Sequence, residues 1–322
     1  MGQIFSTHPL HPDVTARLQA AGAYRVASSP TPTAILAEGT GAEVLIVRAP
    51  IPPEFFARAP GLRAAVRHGA GLDMVPMEVA TAAGVLVANV PGANATTVAE
   101  HAIFMAIALR RRLRQVDRRL RQEGWAAARA LGDTNRELRG ATLGVLGFGN
   151  IGRALAGLGQ AFGMTVLATT RRPDSLPADV TGVDLVTLLA RSDVVVVCCP
   201  LTAETRGLLN APRLAQMKPG AALINVARGP IIDMAALLPE LRAGRLSAAL
   251  DVFDVQPLPQ DDPLFGLENV ILTPHLAGIT EESMKRMGDG AADETLRILA
   301  NALPLNFCNP EVEPAYRRRF PA

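Results

Sequence analysis

The sequence has few cysteines and no long apolar run. It holds 3 cysteines in 322 residues, and Cys198 and Cys199 are neighbours inside an apolar segment. That number and spacing exclude a disulfide framework and predict a reducing compartment, the cytoplasm. The longest apolar stretch, near Ile103–Leu109, is far shorter than the ~20 residues that span a bilayer. The sequence therefore predicts neither a secreted disulfide-stapled protein nor a membrane protein.

Net charge is also small. The formal value is +2 at pH 7, too little to predict a protein that binds nucleic acid or a membrane surface as a whole. The densest charge run is Arg110–Gln122, and it contains no aromatic side chain on which bases could stack. We interpret it as a helix surface that faces solvent or another subunit, and we predict no nucleic-acid partner.

What the sequence does contain is enough apolar material for two domains. The hydrophobic fraction is 49% over 322 residues, which is typical of a globular chain with a large core. Apolar runs at 43–49, 62–70 and 85–94 predict strands in the first hundred residues. One uninterrupted helix is predicted over residues 96–122, and another over 282–303.

After Gly140 the pattern alternates between strands and helices. Strands are predicted at 141–147, 165–169, 193–199, 221–227, 246–252 and 269–273. Consecutive apolar strands joined by helices favour a parallel sheet that is covered on both faces. The predicted fold class is therefore α/β, with a doubly wound parallel sheet.

A glycine-rich turn lies at the start of this alternation. Gly147, Gly149 and Gly152 form a G-x-G-x-x-G pattern that follows an apolar strand, opens a helix and precedes a second strand. The first glycine permits a tight turn, the second a close approach of backbone to pyrophosphate, and the third close helix–strand packing. This context predicts a Rossmann site for a dinucleotide. It disfavours the alternative that the three glycines serve only helix packing.

The end of the next strand predicts which dinucleotide binds. An acid there would bond the ribose 2′-hydroxyl of NAD, but this chain has Thr170 followed by Arg171 and Arg172. Threonine is uncharged, so it does not repel a 2′-phosphate as an acidic side chain would. The two guanidinium groups offer charge-assisted hydrogen bonds to that phosphate. We predict a preference for NADP(H), with NAD(H) possible; the alternative is that both arginines are ordinary surface residues.

Several ordered motifs extend along nearly the whole chain. They are Arg67–Val75, Asn89–Leu109, the glycine turn, Ile224–Asp233, Ala249–Pro259 and Thr273–Thr280. Together they resemble the D-2-hydroxyacid dehydrogenases, the family of glyoxylate/hydroxypyruvate reductases and D-3-phosphoglycerate dehydrogenases. The resemblance implies a nucleotide domain, residues 98–289, inserted in a smaller α/β substrate domain, residues 1–97 and 290–322. It also implies an active site in the cleft between the domains, and a homodimer formed through the nucleotide domain.

The resemblance assigns roles to individual residues. Arg228 matches the arginine that binds the carboxylate and keto oxygen of a 2-keto acid, and His275 matches the acid/base. Backbone N–H groups would hold the carboxylate, and Arg48 would approach the far end of the substrate; the backbone residues are His68, Gly69, Ala70 and Gly71. The further cofactor contacts that it implies are Asn150, Ile151, Cys199, Val226, Ala227, Asp251 and Gly278. No metal is expected.

One position departs from the family pattern. A glutamate normally precedes the proline in the segment that here reads Asp-Val-Phe-Asp-Val-Gln-Pro, and this chain has Gln256. The glutamate would orient the histidine and favour its protonated form, whereas an amide accepts the same hydrogen bond without charge. Asp254, two residues earlier, is the other candidate partner of His275.

Three functions are compatible with these motifs. The first is an NADPH-dependent reductase of a small 2-keto acid such as glyoxylate or hydroxypyruvate. The second is D-3-phosphoglycerate dehydrogenase, disfavoured because many of these enzymes carry a C-terminal regulatory domain and this sequence ends at Ala322. The third is a non-enzymatic nucleotide sensor like the dehydrogenase-related corepressors, which Gln256 favours and the retained Arg228 and His275 disfavour.

Overall fold

The computed structural model describes residues 2–321 and divides into two compact units. Residues 2–94 and 279–321 form the first unit, and residues 95–278 form the second. The predicted domain limits, 97/98 and 289/290, lie further along the chain. The second of them falls inside a helix, Glu281–Leu299, that belongs wholly to the first unit.

The first unit contains a five-stranded parallel sheet in the order β2-β1-β3-β4-β5. Its strands are β1 (Gly2–Ser6), β2 (Gly22–Val26), β3 (Val44–Val47), β4 (Ala64–Arg67) and β5 (Leu86–Ala88). Its helices are α1 (Pro12–Ala21), α2 (Pro32–Glu38), α3 (Phe55–Arg58), α4 (Met77–Ala82), and, from the C-terminal part of the chain, α12 (Glu281–Leu299) and α13 (Glu313–Arg319). Helices line both faces of the sheet through two apolar clusters.

The second unit contains a seven-stranded parallel sheet in the order β12-β11-β10-β9-β6-β7-β8. Its strands are β6 (Thr142–Leu146), β7 (Thr165–Thr169), β8 (Thr181–Gly182), β9 (Val194–Val197), β10 (Ala222–Asn225), β11 (Ser247–Leu250) and β12 (Val270–Leu272). Its helices are α5 (Ala95–Arg110), α6 (Leu113–Glu123), α7 (Trp125–Ala130), α8 (Asn150–Ala161), α9 (Leu185–Arg191), α10 (Ala211–Ala215) and α11 (Met234–Arg242). Counted from β6, the strand order is that of a Rossmann fold, with a reversal between β6 and β9. The predicted α/β class with a doubly wound nucleotide domain is confirmed.

The central strands form because their side chains are apolar on both faces. Every residue of Val194–Val197 and of Ala222–Asn225 is buried. A parallel strand covered by helices on both sides needs such a continuous run, and valine suits the extended backbone. The six strands predicted after Gly140 are confirmed. The sequence patterns missed β8, whose two residues are both exposed.

The long helix predicted over residues 96–122 is wrong, because the structure has two helices there. Helix α5 buries ten side chains, whereas α6 buries none. The chain turns between them at Arg112, which adopts a left-handed conformation with φ 49°. The last buried side chain of α5 is Leu109. Beyond it no packing against the core stabilises a continuation of the same helix. Proline and glycine, the usual stop signals, are absent from this segment.

Within residues 2–321, no helix is long and apolar enough to cross a membrane.

Candidate active site

The glycine-rich turn joins β6 to α8. Gly147 has φ +100°, and a Cβ placed on it would lie 2.6 Å from the Cα of Cys199. A Cβ on Gly152 would lie 2.5 Å from the carbonyl oxygen of Gly147. Because both distances are shorter than any real contact, glycine is required at the turn and at the helix–strand contact, as the sequence predicts.

The start of α8 is built to receive an anion. The helix begins at Asn150, and its N-cap residue Gly149 provides no side-chain hydrogen bond to the first turn. The first-turn N–H groups and the positive end of the helix dipole therefore remain available to a phosphate. The turn lies at the reversal of strand order between β6 and β9, where ligands bind in open α/β sheets. The geometry fits the pyrophosphate of a dinucleotide.

A cavity of about 660 Å³ opens beside this turn. Its lining includes six of the predicted cofactor residues: Gly147, Gly149, Thr170, Arg171, Arg172 and Cys199. It also includes residues that sequence reasoning missed: Phe148, Leu185, Pro200, Thr202, Glu204, Thr205 and Leu208. Most of these follow β9, the strand next to β6, so strand adjacency could have identified them. The volume and the mixed polar and apolar lining suit the adenosine half of a dinucleotide.

Two arginines line this cavity. Arg171 and Arg172 are exposed, and the hydroxyl of Thr170 accepts a hydrogen bond from the backbone N–H of Arg172 at 3.2 Å. Glu204 lines the same cavity and accepts a hydrogen bond from the Thr202 hydroxyl at 2.6 Å. That bond lowers the pKa of Glu204, and the charge of Arg171 lowers it further. Arg171 and Arg172, the two predicted phosphate partners, thus line this cavity.

The paired cysteines lie beside the glycine turn. The Cys198 thiol donates a hydrogen bond to the carbonyl oxygen of Gly147 at 3.0 Å and so braces the glycine turn. Burial raises the pKa of Cys198, and it raises the pKa of Cys199 to about 11. Neither thiol is a thiolate near neutral pH, so neither is poised to act as a nucleophile.

Arg228 lies on the loop that follows β10. The buried side chain of Asn225 holds this loop, because its Nδ2 donates to the carbonyl oxygen of Arg228 at 2.9 Å and its Oδ1 accepts from the N–H of Ala227 at 3.0 Å. The guanidinium Nη1 donates to the carbonyl oxygen of Ala227 at 2.7 Å. Val226 and Ala227, the predicted cofactor neighbours, are buried in the same loop. Asn225 is a positioning residue that the sequence analysis did not single out.

His275 follows β12 and contacts Gln256. Its Nδ1 lies 3.0 Å from the Oε1 of Gln256, while the Nε2 of Gln256 donates to the carbonyl oxygen of Phe253 at 3.2 Å. The Phe253 contact orients the amide so that its oxygen faces the ring, and His275 must therefore carry a hydrogen on Nδ1. Neutral His275 then has its lone pair on Nε2, the nitrogen that exchanges a proton with a substrate.

Asp254, the other predicted candidate, has different neighbours. Burial raises the pKa of its carboxyl, Arg206 opposes that shift and Asp233 adds to it. Its side chain lines a separate cavity with Phe253 and Leu258. The structure thus brings Gln256 to the Nδ1 of His275, as the family pattern predicts for this position.

The carboxylate of Asp251 faces the segment that carries His275. It is 2% exposed, and it accepts hydrogen bonds from the Thr273 hydroxyl at 2.6 Å and from the N–H groups of Leu276 at 2.7 Å and Ala277 at 3.0 Å. A carboxylate has about four lone-pair sites, and these three hydrogen bonds leave one of them. The predicted contact between Asp251 and a nicotinamide carboxamide would use that site. Gly278 ends the same segment.

The predicted substrate loop lies in the first unit, after β4. His68 is buried, and burial with the nearby charges of Arg48 and Arg67 lowers its pKa to about 3, so its imidazole is neutral. The backbone N–H of His68 already donates a hydrogen bond to the carbonyl oxygen of Val47 at 3.1 Å. The backbone N–H of Gly69 donates one to the carbonyl oxygen of Arg67 at 3.0 Å.

This finding narrows the predicted backbone contacts. Two of the four expected N–H groups are used within the unit, which leaves those of Ala70 and Gly71 as the carboxylate contacts in our proposal. Arg48 is partly buried and donates to the carbonyl oxygen of Pro9 at 2.5 Å. Burial lowers the pKa of its guanidinium, which nevertheless stays charged near neutral pH.

Within the described residues, no group of three or more His, Cys, Asp or Glu side chains could hold a metal ion.

Comparison with known proteins identifies relatives of this chain. Residues 103–277 match the model of the D-isomer specific 2-hydroxyacid dehydrogenase NAD-binding domain. D-3-phosphoglycerate dehydrogenase of Archaeoglobus fulgidus is 38% identical over 85% of this chain, which spans only 53% of that protein. Glyoxylate reductase of Korarchaeum cryptofilum is 37% identical over 84% of this chain and 82% of its own length.

Solved structures agree with these relatives. A protein of Thermus thermophilus is 35% identical, with a TM-score of 0.86 over 94% of this chain and 99% of that one. NADPH-dependent glyoxylate/hydroxypyruvate reductase of Sinorhizobium meliloti is 29% identical, with a TM-score of 0.85 over 96% of this chain and 98% of its own. Because the family model covers more than half of the chain and the relatives agree with it, this chain belongs to the D-2-hydroxyacid dehydrogenase family.

Proposed function

We propose that this protein reduces a small 2-keto acid, glyoxylate or hydroxypyruvate, to the D-2-hydroxy acid with NADPH. The observation that carries the proposal is the pair His275–Gln256, joined at 3.0 Å, at the end of the strand β12. Arg228 follows β10 at the same edge of the sheet, because all these strands are parallel. Glyoxylate reductases among the relatives support the substrate class.

The reaction needs a grip on the carboxylate, polarisation of the keto group and a proton for the new hydroxyl. A bound nicotinamide supplies the hydride. Arg228 binds the substrate carboxylate and hydrogen-bonds the keto oxygen through its guanidinium fork. Protonated His275 donates from Nε2 to that oxygen, while its Nδ1–H stays bonded to Gln256. In the first unit, Ala70 and Gly71 would bind the carboxylate, and Arg48 would meet a polar group at the far end.

The remaining predicted contacts belong to the cofactor. Asn150 and Ile151, in the first turn of α8, would bind the phosphates through their N–H groups. Val226, Ala227 and Gly278 would line the nicotinamide end, where Asp251 would accept a bond from the carboxamide.

We expect a higher kcat/KM for NADPH than for NADH. Thr170 adds no negative charge, and the guanidinium groups of Arg171 and Arg172 would pair with the 2′-phosphate. Replacing both arginines by alanine should raise the Kd of NADPH about tenfold to a hundredfold, as expected for the loss of one or two charge-assisted bonds. Fluorescence titration with NADPH and NADH measures this.

The control for that experiment is the double replacement of Arg317 and Arg318, which lie in α13 of the first unit. It should leave both cofactor affinities unchanged. Equal kcat/KM for the two cofactors in the unaltered protein would refute the NADPH preference.

D-3-phosphoglycerate dehydrogenase is the second candidate, favoured by relatives that carry that name. A nucleotide sensor without turnover is the third. Steady-state assays separate all three: our proposal requires reduction of glyoxylate and hydroxypyruvate with NADPH at higher kcat/KM than oxidation of D-3-phosphoglycerate. Tight NADPH binding without turnover of any of these compounds would favour the sensor.

We also propose a homodimer formed through the second unit. Helices α5 to α7 expose large apolar side chains, Phe104, Leu113, Leu120 and Trp125, and Trp125 is 75% exposed. Exposed apolar side chains of this size on three consecutive helices are typical of a protein–protein contact. Sedimentation equilibrium tests the proposal, which requires twice the chain mass of 33.9 kDa.

A further inference from the structure

His275 has an unusual backbone conformation. Its φ is +58°, in the left-handed region, although it is not a glycine. A side chain in this region is unfavourable and persists only where the surroundings hold it, which occurs often at functional sites. Neighbouring groups must therefore hold residues 273–277 in place.

Asp251 provides most of these contacts. Its backbone carbonyl oxygen accepts from the N–H of His275 at 2.8 Å. Its Oδ1 accepts from the N–H of Leu276 at 2.7 Å and its Oδ2 from the N–H of Ala277 at 3.0 Å. A single residue at the end of β11 thus fixes three consecutive N–H groups around the left-handed turn.

Thr273 completes the arrangement from the other side of His275. Its hydroxyl donates to Oδ1 of Asp251 at 2.6 Å, and its N–H donates to the carbonyl oxygen of Leu250 at 3.1 Å. With its one hydroxyl hydrogen used on Asp251, the Thr273 oxygen presents lone pairs to the Nε2 of His101, 3.5 Å away on α5. The hydroxyl therefore ties the start of the segment to the same carboxylate that binds its end.

We infer that Thr273 is a positioning residue for His275, acting through the carboxylate of Asp251. The inference rests on the proposed function, because it assigns His275 the acid/base role. The four hydrogen bonds from Thr273, His275, Leu276 and Ala277 to Asp251, called here the Asp251 clasp, keep the imidazole within reach of Gln256 and of a substrate. Small displacements of an acid/base from its working geometry have large effects on rate.

The Asp251 clasp is compatible with a role of Asp251 in cofactor binding. An ionised carboxylate has about four lone-pair sites, and the clasp uses three of them through side-chain oxygens. The Thr273 hydroxyl contacts the Asp251 carboxylate and His101 of α5, and Thr273 is not among the residues that line the nucleotide cavity. Its replacement therefore separates the positioning of His275 from the binding of the dinucleotide.

The test compares three variants. Thr273→Val removes the hydroxyl at nearly constant volume, and Thr273→Ser retains the donor. Thr295→Val is the matched control, because Thr295 is fully buried and its hydroxyl donates to Ala291 at 2.7 Å in α12, within the first unit. For each, kcat and KM are measured with hydroxypyruvate, the Kd of NADPH by fluorescence, and hydrogen exchange at Leu276 and Ala277 by NMR or mass spectrometry.

We expect Thr273→Val to lower kcat about tenfold to a hundredfold, as for an acid/base displaced by about 1 Å. Its Kd for NADPH should stay within about twofold, and the exchange of Leu276 and Ala277 should accelerate, since local hydrogen bonds protect them. Thr273→Ser should restore most of kcat, and Thr295→Val should leave kcat unchanged. If Thr273→Val does not fold, Thr273→Ala replaces it.

Three results would overturn the inference. They are an unchanged kcat in Thr273→Val, an equal loss of kcat in Thr295→Val, and a loss of kcat explained by weaker NADPH binding. If the unaltered protein turns over no 2-keto acid, the proposed function fails, and the exchange measurement still decides whether Thr273 holds the segment.

Discussion

Replacing His275 by alanine should lower kcat for hydroxypyruvate reduction by about 10²- to 10⁴-fold, the range typical of a lost general acid. The geometry supports this size of effect, because Nδ1 is bonded to Gln256 at 3.0 Å, and the proposed proton donor is therefore Nε2. Steady-state kinetics with saturating NADPH measures the change.

The His275→Ala variant also needs a binding control. Its NADPH affinity should remain close to that of the unaltered protein, because the nucleotide cavity is lined by other residues. A variant that retains more than about a tenth of kcat would show that another group protonates the keto oxygen, since general acids contribute at least a hundredfold.

Gln256→Glu should move the alkaline limb of the pH profile for kcat/KM upward by up to about one to two pH units. Reduction requires protonated His275, so the rate falls as pH rises through the pKa of the imidazole. A carboxylate beside Nδ1 stabilises the imidazolium and raises that pKa, whereas the present amide contributes a hydrogen bond but no charge. The variant should therefore remain active at higher pH than the unaltered protein.

The control is Asp254→Asn, which removes the other nearby acid. Asp254 interacts with Arg206 and Asp233, so this change should leave the alkaline limb in place. Coincident limbs for the unaltered protein and Gln256→Glu would show that residue 256 does not set the proton affinity of His275.

The nucleotide site was the most predictable part of this molecule. The turn at Gly147 and the cation pair Arg171 and Arg172 each lie within a short segment of the chain. The spacing of glycines in such a segment is enough to predict the tight backbone turn that binds a dinucleotide. Residues such as Thr202 and Glu204 were missed because they follow β9, which becomes a neighbour of β6 only after the sheet has formed.

Other features depend on tertiary contacts that sequence patterns do not carry. The helix break at Arg112 is not marked by a glycine or a proline in the sequence. It occurs where the buried face of α5 ends. The choice between Gln256 and Asp254 depends on side-chain direction. The role of Asp251 in holding residues 273–277 arises from two strands that are adjacent in space.

The central claim, an NADPH-dependent reductase that forms D-2-hydroxy acids, is tested most directly with hydroxypyruvate. The measurement is the rate of NADPH oxidation by the unaltered protein together with chiral analysis of the glycerate produced. Our account predicts turnover with D-glycerate as product. Formation of L-glycerate, or absence of NADPH oxidation with both hydroxypyruvate and glyoxylate, would contradict it.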